Sequence, residues 1–260
     1  MMYVAEKNKA AEGPIKSYAN YEQHARIAGI IREHSENKRD IRSTINSLIP
    51  WDRVENVLDL GCGYGWFEEV MPAGLLTIVG IDCLEENRAP FLDAAKKRAR
   101  EAHFYTLQLP AQIGVPPGNF DLILSLYSLY FFAPVLPEVR RLLKPEGLFV
   151  SVTHSNSMLE EGQHYFDFKN LRRVIENFSA ENGETKLARH FETVTYEDYP
   201  NSLVFRRGDE EKLAMYIDFK SGFIEKDADP ALVRDTMLRE LKRRGSLRLN
   251  KNDRVFLAKK

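Results

Sequence analysis

Cysteine is scarce in this chain of 260 residues: only Cys62 and Cys83 are present. They supply neither a CxxC metal pair nor a disulfide framework, so no metal is expected and a reduced, cytoplasmic protein is. An excess of one charge is also lacking. Lys and Arg number 37 against 38 Asp and Glu, which excludes a globally basic surface for wrapping nucleic acid. Long apolar runs are missing too. The longest nearly uncharged stretch, Leu122 to Leu136, holds serines and a proline and falls short of the roughly 20 residues of a membrane span. The start, MMYVAEKNKA, carries no apolar segment of the secretory type. No repeat or low-complexity tract is visible. What the chain does have is 43% apolar and 11% aromatic residues, enough for the core of one large α/β domain or of a domain with an insertion.

Residues 21 to 49 place Ile27, Ile30 and Ile31, then Ile41, Ile45 and Leu48, at helical spacing. This predicts two helices broken near His34 to Asn37. From Val54 the texture becomes short apolar runs alternating with charged, helix-like stretches. Strands are predicted at 56–60, 76–81, 103–107, 120–126 and 147–154, with helices near 66–72, 85–101 and 135–143. That alternation argues for a mostly parallel, doubly wound sheet covered on both faces. Beyond Ser155, helices are expected at 169–178, 209–219 and 230–243, and strands at 191–196, 202–205 and in the closing VFLAKK. The resulting division is an N-terminal helical lid (1–50), a core (51–196), an inserted cap (197–249) and a final core strand (250–260).

The chemistry sits in VLDLGCGYGWF, Val57 to Phe67. A strand delivers Asp59, and the chain then turns through Gly61, Gly63 and Gly65, where a Cβ would obstruct both the turn and a ligand approaching the main chain. A dinucleotide loop would read GxGxxG, but here the spacing is GxGxG and Trp66 stands where the third glycine belongs. The loop therefore suits a nucleoside without a pyrophosphate. The next strand ends in Asp82, a position from which a carboxylate accepts ribose hydroxyls.

With these motifs the sequence resembles the class I S-adenosylmethionine-dependent methyltransferases, in particular the small-molecule group with a DxGCGxG motif. GNFDLILS (Gly118 to Ser125) resembles that family's fourth-strand motif, and LLKPEGLFVSV (Leu142 to Val152) its helix-to-fifth-strand signature. The resemblance implies a Rossmann-like seven-stranded α/β sheet with N-terminal helices and a helical cap inserted before the last strand. It also implies S-adenosyl-L-methionine as cofactor. By the family pattern, Gly61, Cys62 and Gly63 lie against the cofactor, Asp59 supports the loop and the methionyl amino group, Asp82 binds the ribose, Cys83 packs beside adenine, and the Ser125 carbonyl faces the amine. After the third strand the family commonly has an Asp for the adenine amine. Here Leu109 and Pro110 stand in its place, and Gln108 or Gln112 is the candidate substitute.

Methyl transfer from a sulfonium depends mainly on positioning the acceptor and excluding water. A base is needed chiefly where the acceptor must lose a proton. His154, at the end of the fifth strand, is the candidate base, with a packed strand-end histidine as the alternative. Tyr18, Tyr21, Tyr127 and Tyr130 are candidate acceptor contacts, with core packing or a frayed terminus as the alternative. Arg39 and Arg42 could meet the methionyl carboxylate or simply lie on a solvated helix face. The expected partner is a small-molecule acceptor, with no nucleic acid and no membrane. Two other readings remain: an RNA or protein methyltransferase, since residues 231–260 hold ten Lys or Arg against three Asp or Glu, or a noncatalytic cofactor-binding partner protein.

Overall fold

A computed structural model describes residues 15, 18, 20–164, 169–223 and 229–260; the first fourteen residues of the expected lid lie outside them. One seven-stranded sheet organises the chain. Its strands are β1 (Asn56–Leu60), β2 (Leu75–Asp82), β3 (Ala99–Thr106), β4 (Phe120–Leu126), β5 (Leu143–His154), β6 (Thr193–Tyr199) and β9 (Asp253–Lys259), in the order β3-β2-β1-β4-β5-β9-β6. Pairing is parallel from β3 to β5, while β9 runs antiparallel between β5 and β6. The order reverses between β1 and β4, so the carboxyl ends of these two strands frame the crevice where open α/β sheets bind ligands.

Alternation along the central strands divides the core. Leu58, Ile123 and Phe149 pack on one face, and Val57, Leu122, Leu124 and Val150 on the other, as the two-residue period of a strand dictates. The edge strand β3 is mostly exposed. It begins at Ala99, because the preceding helix covers only Arg88–Ala95 and not the predicted 85–101. The helix predicted near 66–72 is also reduced, to a single 3-10 turn at Glu68–Val70. Pro72 follows Met71, whose backbone is extended (ψ 151°), as a residue before proline prefers.

Ahead of the sheet, α1 (Tyr21–His34) is capped by Asn20, whose side chain accepts from the Gln23 amide, and α2 (Ile41–Leu48) by Asp40. Between β6 and β9 the chain inserts β7 (Ser202–Arg206), a helix at Glu210–Lys220, a second at Pro230–Arg244, and β8 (Ser246–Asn250). The insert therefore carries an antiparallel β7–β8 ribbon besides its helices. A bridge from Ser35 to Leu203 and the contact of His34 Nδ1 with the Val204 carbonyl (3.0 Å) fasten α1 to this ribbon.

Candidate active site

The carboxyl ends of β1, β2, β4 and β5 open onto a cavity of about 500 Å³, roofed by α1, by the Glu210–Lys220 helix and by the turn entering β9. Its size falls within the range of small-molecule sites.

At one end lies the glycine loop. Gly61 and Gly63 hold φ of 70° and 55°. A Cβ on Gly61 would sit 2.5 Å from Ser128 Cβ, whereas one on Gly63 would enter open space. Packing thus requires the first glycine, while the left-handed backbone and the need for ligand access favour the second. Asp82 Oδ2 accepts from the Gly63 amide (3.0 Å), and Oδ1 accepts from the Leu84 amide (2.9 Å) and Asn87 Nδ2 (3.3 Å). Three of about four lone-pair sites are filled, leaving about one on Oδ2 for a ligand hydroxyl.

Asp59 is buried on the cavity wall, and among the described residues its Oδ1 has no hydrogen-bond partner. Glu68, wholly buried, stands beside it. Two buried carboxyls side by side resist joint ionisation. Burial pushes Asp59 up to about 7 and Glu68 well above the ordinary range. An orphaned acceptor on Asp59, a free lone pair on Asp82 and an acidic surround suit a cationic nucleoside carrying an ammonium group and ribose hydroxyls. S-adenosylmethionine has all of these features.

Cys62, Cys83, Gln108 and Leu109 also line this end. Gln108 Nε2 donates to the Leu109 carbonyl (3.2 Å), and Gln112 is not on the wall. Arg42 lines the cavity but is held by Asp40 and Glu69 (3.1 Å each), whereas Arg39 turns to Ser47 and lies off the wall.

At the other end His154 reaches the wall, with Asp253 behind it. Because β9 runs antiparallel to β5, its first residue falls opposite the last residue of β5, and the register pairs His154 with Asp253. The carboxylate of Asp253 is fully buried. It accepts from His154 Nδ1 (2.6 Å) on one oxygen, and from the Tyr127 hydroxyl (2.7 Å) and Lys251 Nζ (2.6 Å) on the other. Burial drives His154 down to about 4, although Asp253 pulls the other way. The imidazole is therefore neutral at pH 7. With Nδ1–H committed to Asp253, Nε2 carries the lone pair, and no hydrogen bond to Nε2 occurs among the described residues. Tyr127 stacks on the imidazole with ring centroids 4.8 Å apart.

Not every predicted residue reaches the cavity. Ser125 is fully buried behind the wall: its Oγ meets Ser128 Oγ (2.8 Å) and its carbonyl already accepts from Ser151 Oγ (3.0 Å). Leu126, Tyr127 and Ser128 form the wall instead. Tyr130 is buried one layer back, against Tyr18 and His154. Tyr21 is exposed, on a different side of α1 from the buried Ile27 and Ile30, and opens onto a separate shallow hollow. Tyr18 does line the cavity, as does His24, which stacks on Phe219 (5.7 Å) and is pushed down to about 4 by burial.

Sequence reasoning missed Glu68, Lys220, Lys251 and Asp253. For Lys220 a signal existed. Leu213, Tyr216 and Ile217 form the buried stripe of its helix, and Lys220 falls at the next position of that stripe, where an apolar residue belongs.

Comparison with known proteins agrees with this geometry. A family profile described as a methyltransferase domain matches residues 31–207. The chain is 30% identical over 113 residues to the ubiquinone biosynthesis O-methyltransferase of Bartonella tribocorum, covering 41% of this chain and 44% of that one. It is 28% identical over 183 residues to the malonyl-[acyl-carrier protein] O-methyltransferase of Buchnera aphidicola subsp. Baizongia pistaciae, covering 68% and 64%. In both cases it spans less than two thirds of the curated relative. Among solved structures, the [4+2]-cyclase SpnF superposes with a TM-score of 0.59 at 16% identity, over 96% of this chain and 95% of that one, a likeness of fold. Domain match, strand order and glycine loop together lead to one conclusion: the chain belongs to the class I S-adenosylmethionine-dependent methyltransferases.

Proposed function

We propose that this protein methylates an oxygen of a small-molecule acceptor, with His154 as general base. The observation that carries the reading is the continuity of one cavity from Asp59 and Asp82 to the neutral imidazole of His154. The bound cofactor supplies an electrophilic methyl group: a carbon–oxygen bond forms as the carbon–sulfur bond breaks, and sulfur keeps the electron pair. The acceptor's proton goes to His154 Nε2, and Asp253, already bonded to Nδ1–H, stabilises the imidazolium that results. A base driven down to about 4 by burial takes that proton efficiently only from an acidic hydroxyl, such as a phenol or enol, or as positive charge grows on the oxygen during transfer. Tyr18, Tyr127 and Phe131 supply apolar walls that exclude water. Both curated relatives are named as O-methyltransferases, which supports oxygen as the acceptor atom.

The RNA reading is less favoured, because six of the ten basic residues between 231 and 260 make ion pairs: Arg234 with Asp218, Arg243 and Arg244 with Glu240, Arg248 with Glu36, Lys251 with Asp253 and Arg254 with Asp198.

Calorimetry with S-adenosylmethionine tests the cofactor end. Asp82→Ala is expected to weaken binding about 10- to 150-fold, the equivalent of a hydrogen bond to a charged group. Equal affinity of wild type and variant would sink the assignment. Screening a metabolite extract for methylated products by mass spectrometry then tests transfer itself. A protein that binds the cofactor yet methylates nothing would favour the noncatalytic reading, on a fold that hosts more than one chemistry.

A further inference from the structure

Lys220 is a lysine in a core position. It is 5% exposed, ends its helix on the buried stripe and lines the acceptor end of the cavity. Its Nζ stands 5.0, 5.5 and 5.9 Å from the ring centroids of Phe223, Phe219 and Tyr216. Among the described residues it makes no hydrogen bond and no ion pair. The Tyr216 hydroxyl is also buried without a hydrogen-bond partner among the described residues. Burial of an ammonium without a counter-ion is costly, and aromatic faces offset only part of that cost.

Among the described residues no carboxylate pairs with Lys220, although Asp253 attracts it electrostatically. Asp253 is committed to Lys251, Tyr127 and His154, and Asp59 belongs to the opposite, glycine-loop end. The other titratable groups facing Lys220 are His24 on α1, His154 on β5 and Lys251 ahead of β9. None of these carries negative charge.

We propose that Lys220 is the specificity-determining residue for the acceptor, its ammonium pairing with a carboxylate on the small molecule to be methylated. A carboxylate gives the buried cation its missing counter-ion, and the surrounding rings favour an apolar body attached to it. This rests on the methyl-transfer reading above. The surroundings support it: burial and then Lys251 drive Lys220 down to about 7, although Asp253 pulls the other way, and an anion seated there would hold it protonated.

The test uses the full chain loaded with S-adenosylhomocysteine. It is titrated with benzoate, hexanoate and decanoate and with their uncharged amides. At least one carboxylate should bind tenfold or more tightly than its amide, with the preference growing as pH falls from 8 to 6 and Lys220 protonates. Lys220→Met should abolish the preference and Lys220→Arg should retain part of it, both with unchanged affinity for S-adenosylmethionine. The proposal is overturned if carboxylates and amides bind alike, if none of the three carboxylates binds, or if Lys220→Met keeps the preference. It is also overturned if Lys220→Met loses cofactor affinity, which would assign the lysine to the methionyl carboxylate. Should Lys220→Met fail to fold, the wild-type ratio and Lys220→Arg still decide. Wild-type protein that binds no cofactor would count against the methyltransferase reading instead.

Discussion

The two ends of the cavity are built on opposite electrostatic plans. At the glycine loop, Asp59, Glu68 and Asp82 bring three carboxyl groups together, and burial raises all three. At the opposite end, Lys251 and His154 bond to one carboxylate, Asp253, with Lys220 also near it and His24 near Lys220. There, burial lowers Lys220 and both histidines. A cationic cofactor suits the first end, and the proposed carboxylate acceptor would suit the second. At both ends burial favours the neutral forms of these groups.

The contrast extends to stability. His24 and His154, at about 4 in the fold against 6.5 free, stay neutral where the unfolded chain takes up protons. Their contribution is therefore lost as pH falls from 6.5 towards 4. Asp59, at about 7 against 3.8, keeps its proton where the unfolded chain releases it. Its contribution is lost as pH rises from about 4 to 7. Within one pH window the two ends push stability in opposite directions.

The largest effect is expected at His154. His154→Ala should lower kcat by about 10²- to 10⁴-fold, or about 3–5 kcal/mol of barrier, with cofactor affinity unchanged in calorimetry. A cofactor affinity that falls in parallel would mean the two ends are not separable. Next in size is Asp253→Asn, which preserves the shape but leaves Lys251 buried without a counter-charge. It should cost about 3 kcal/mol in urea unfolding, and a loss under 1 kcal/mol would show that the cluster is not held by its charge. The smallest effect sharpens the other end. Glu68→Gln removes one of the paired carboxyls, so the variant should gain roughly 2 kcal/mol over wild type at pH 8 relative to pH 5. Parallel stability curves for the two proteins would argue against a strained carboxyl pair.

The cofactor end was legible in the sequence because its parts are local. Asp59, Gly61 and Gly63 lie within one strand and turn, and Asp82 closes the next strand. The post-third-strand wall was legible too, as far as Gln108 and Leu109. The acceptor end was not, because its parts come from strands far apart in the chain. His154 stood out as a polar residue at a strand end, but its partner lies 99 residues away. Ser125 and Tyr130 lie one layer behind the wall formed by Leu126, Tyr127 and Ser128, and spacing alone does not say which residues of the turn after β4 face the cavity. Tyr21 was misplaced because periodicity fixes which residues share a helix face and not which face meets the cavity.

By itself the sequence determined the sheet, its alternation with helices, the glycine turn and the acids that suit a cationic nucleoside. All of these follow from residue type and short spacing. Only the tertiary structure decided that Asp253 sits behind His154, since an antiparallel last strand begins where its parallel neighbour ends. The tertiary structure, likewise, turned Lys220, on the core stripe of the Glu210–Lys220 helix, towards the cavity, where among the described residues it has no ion pair.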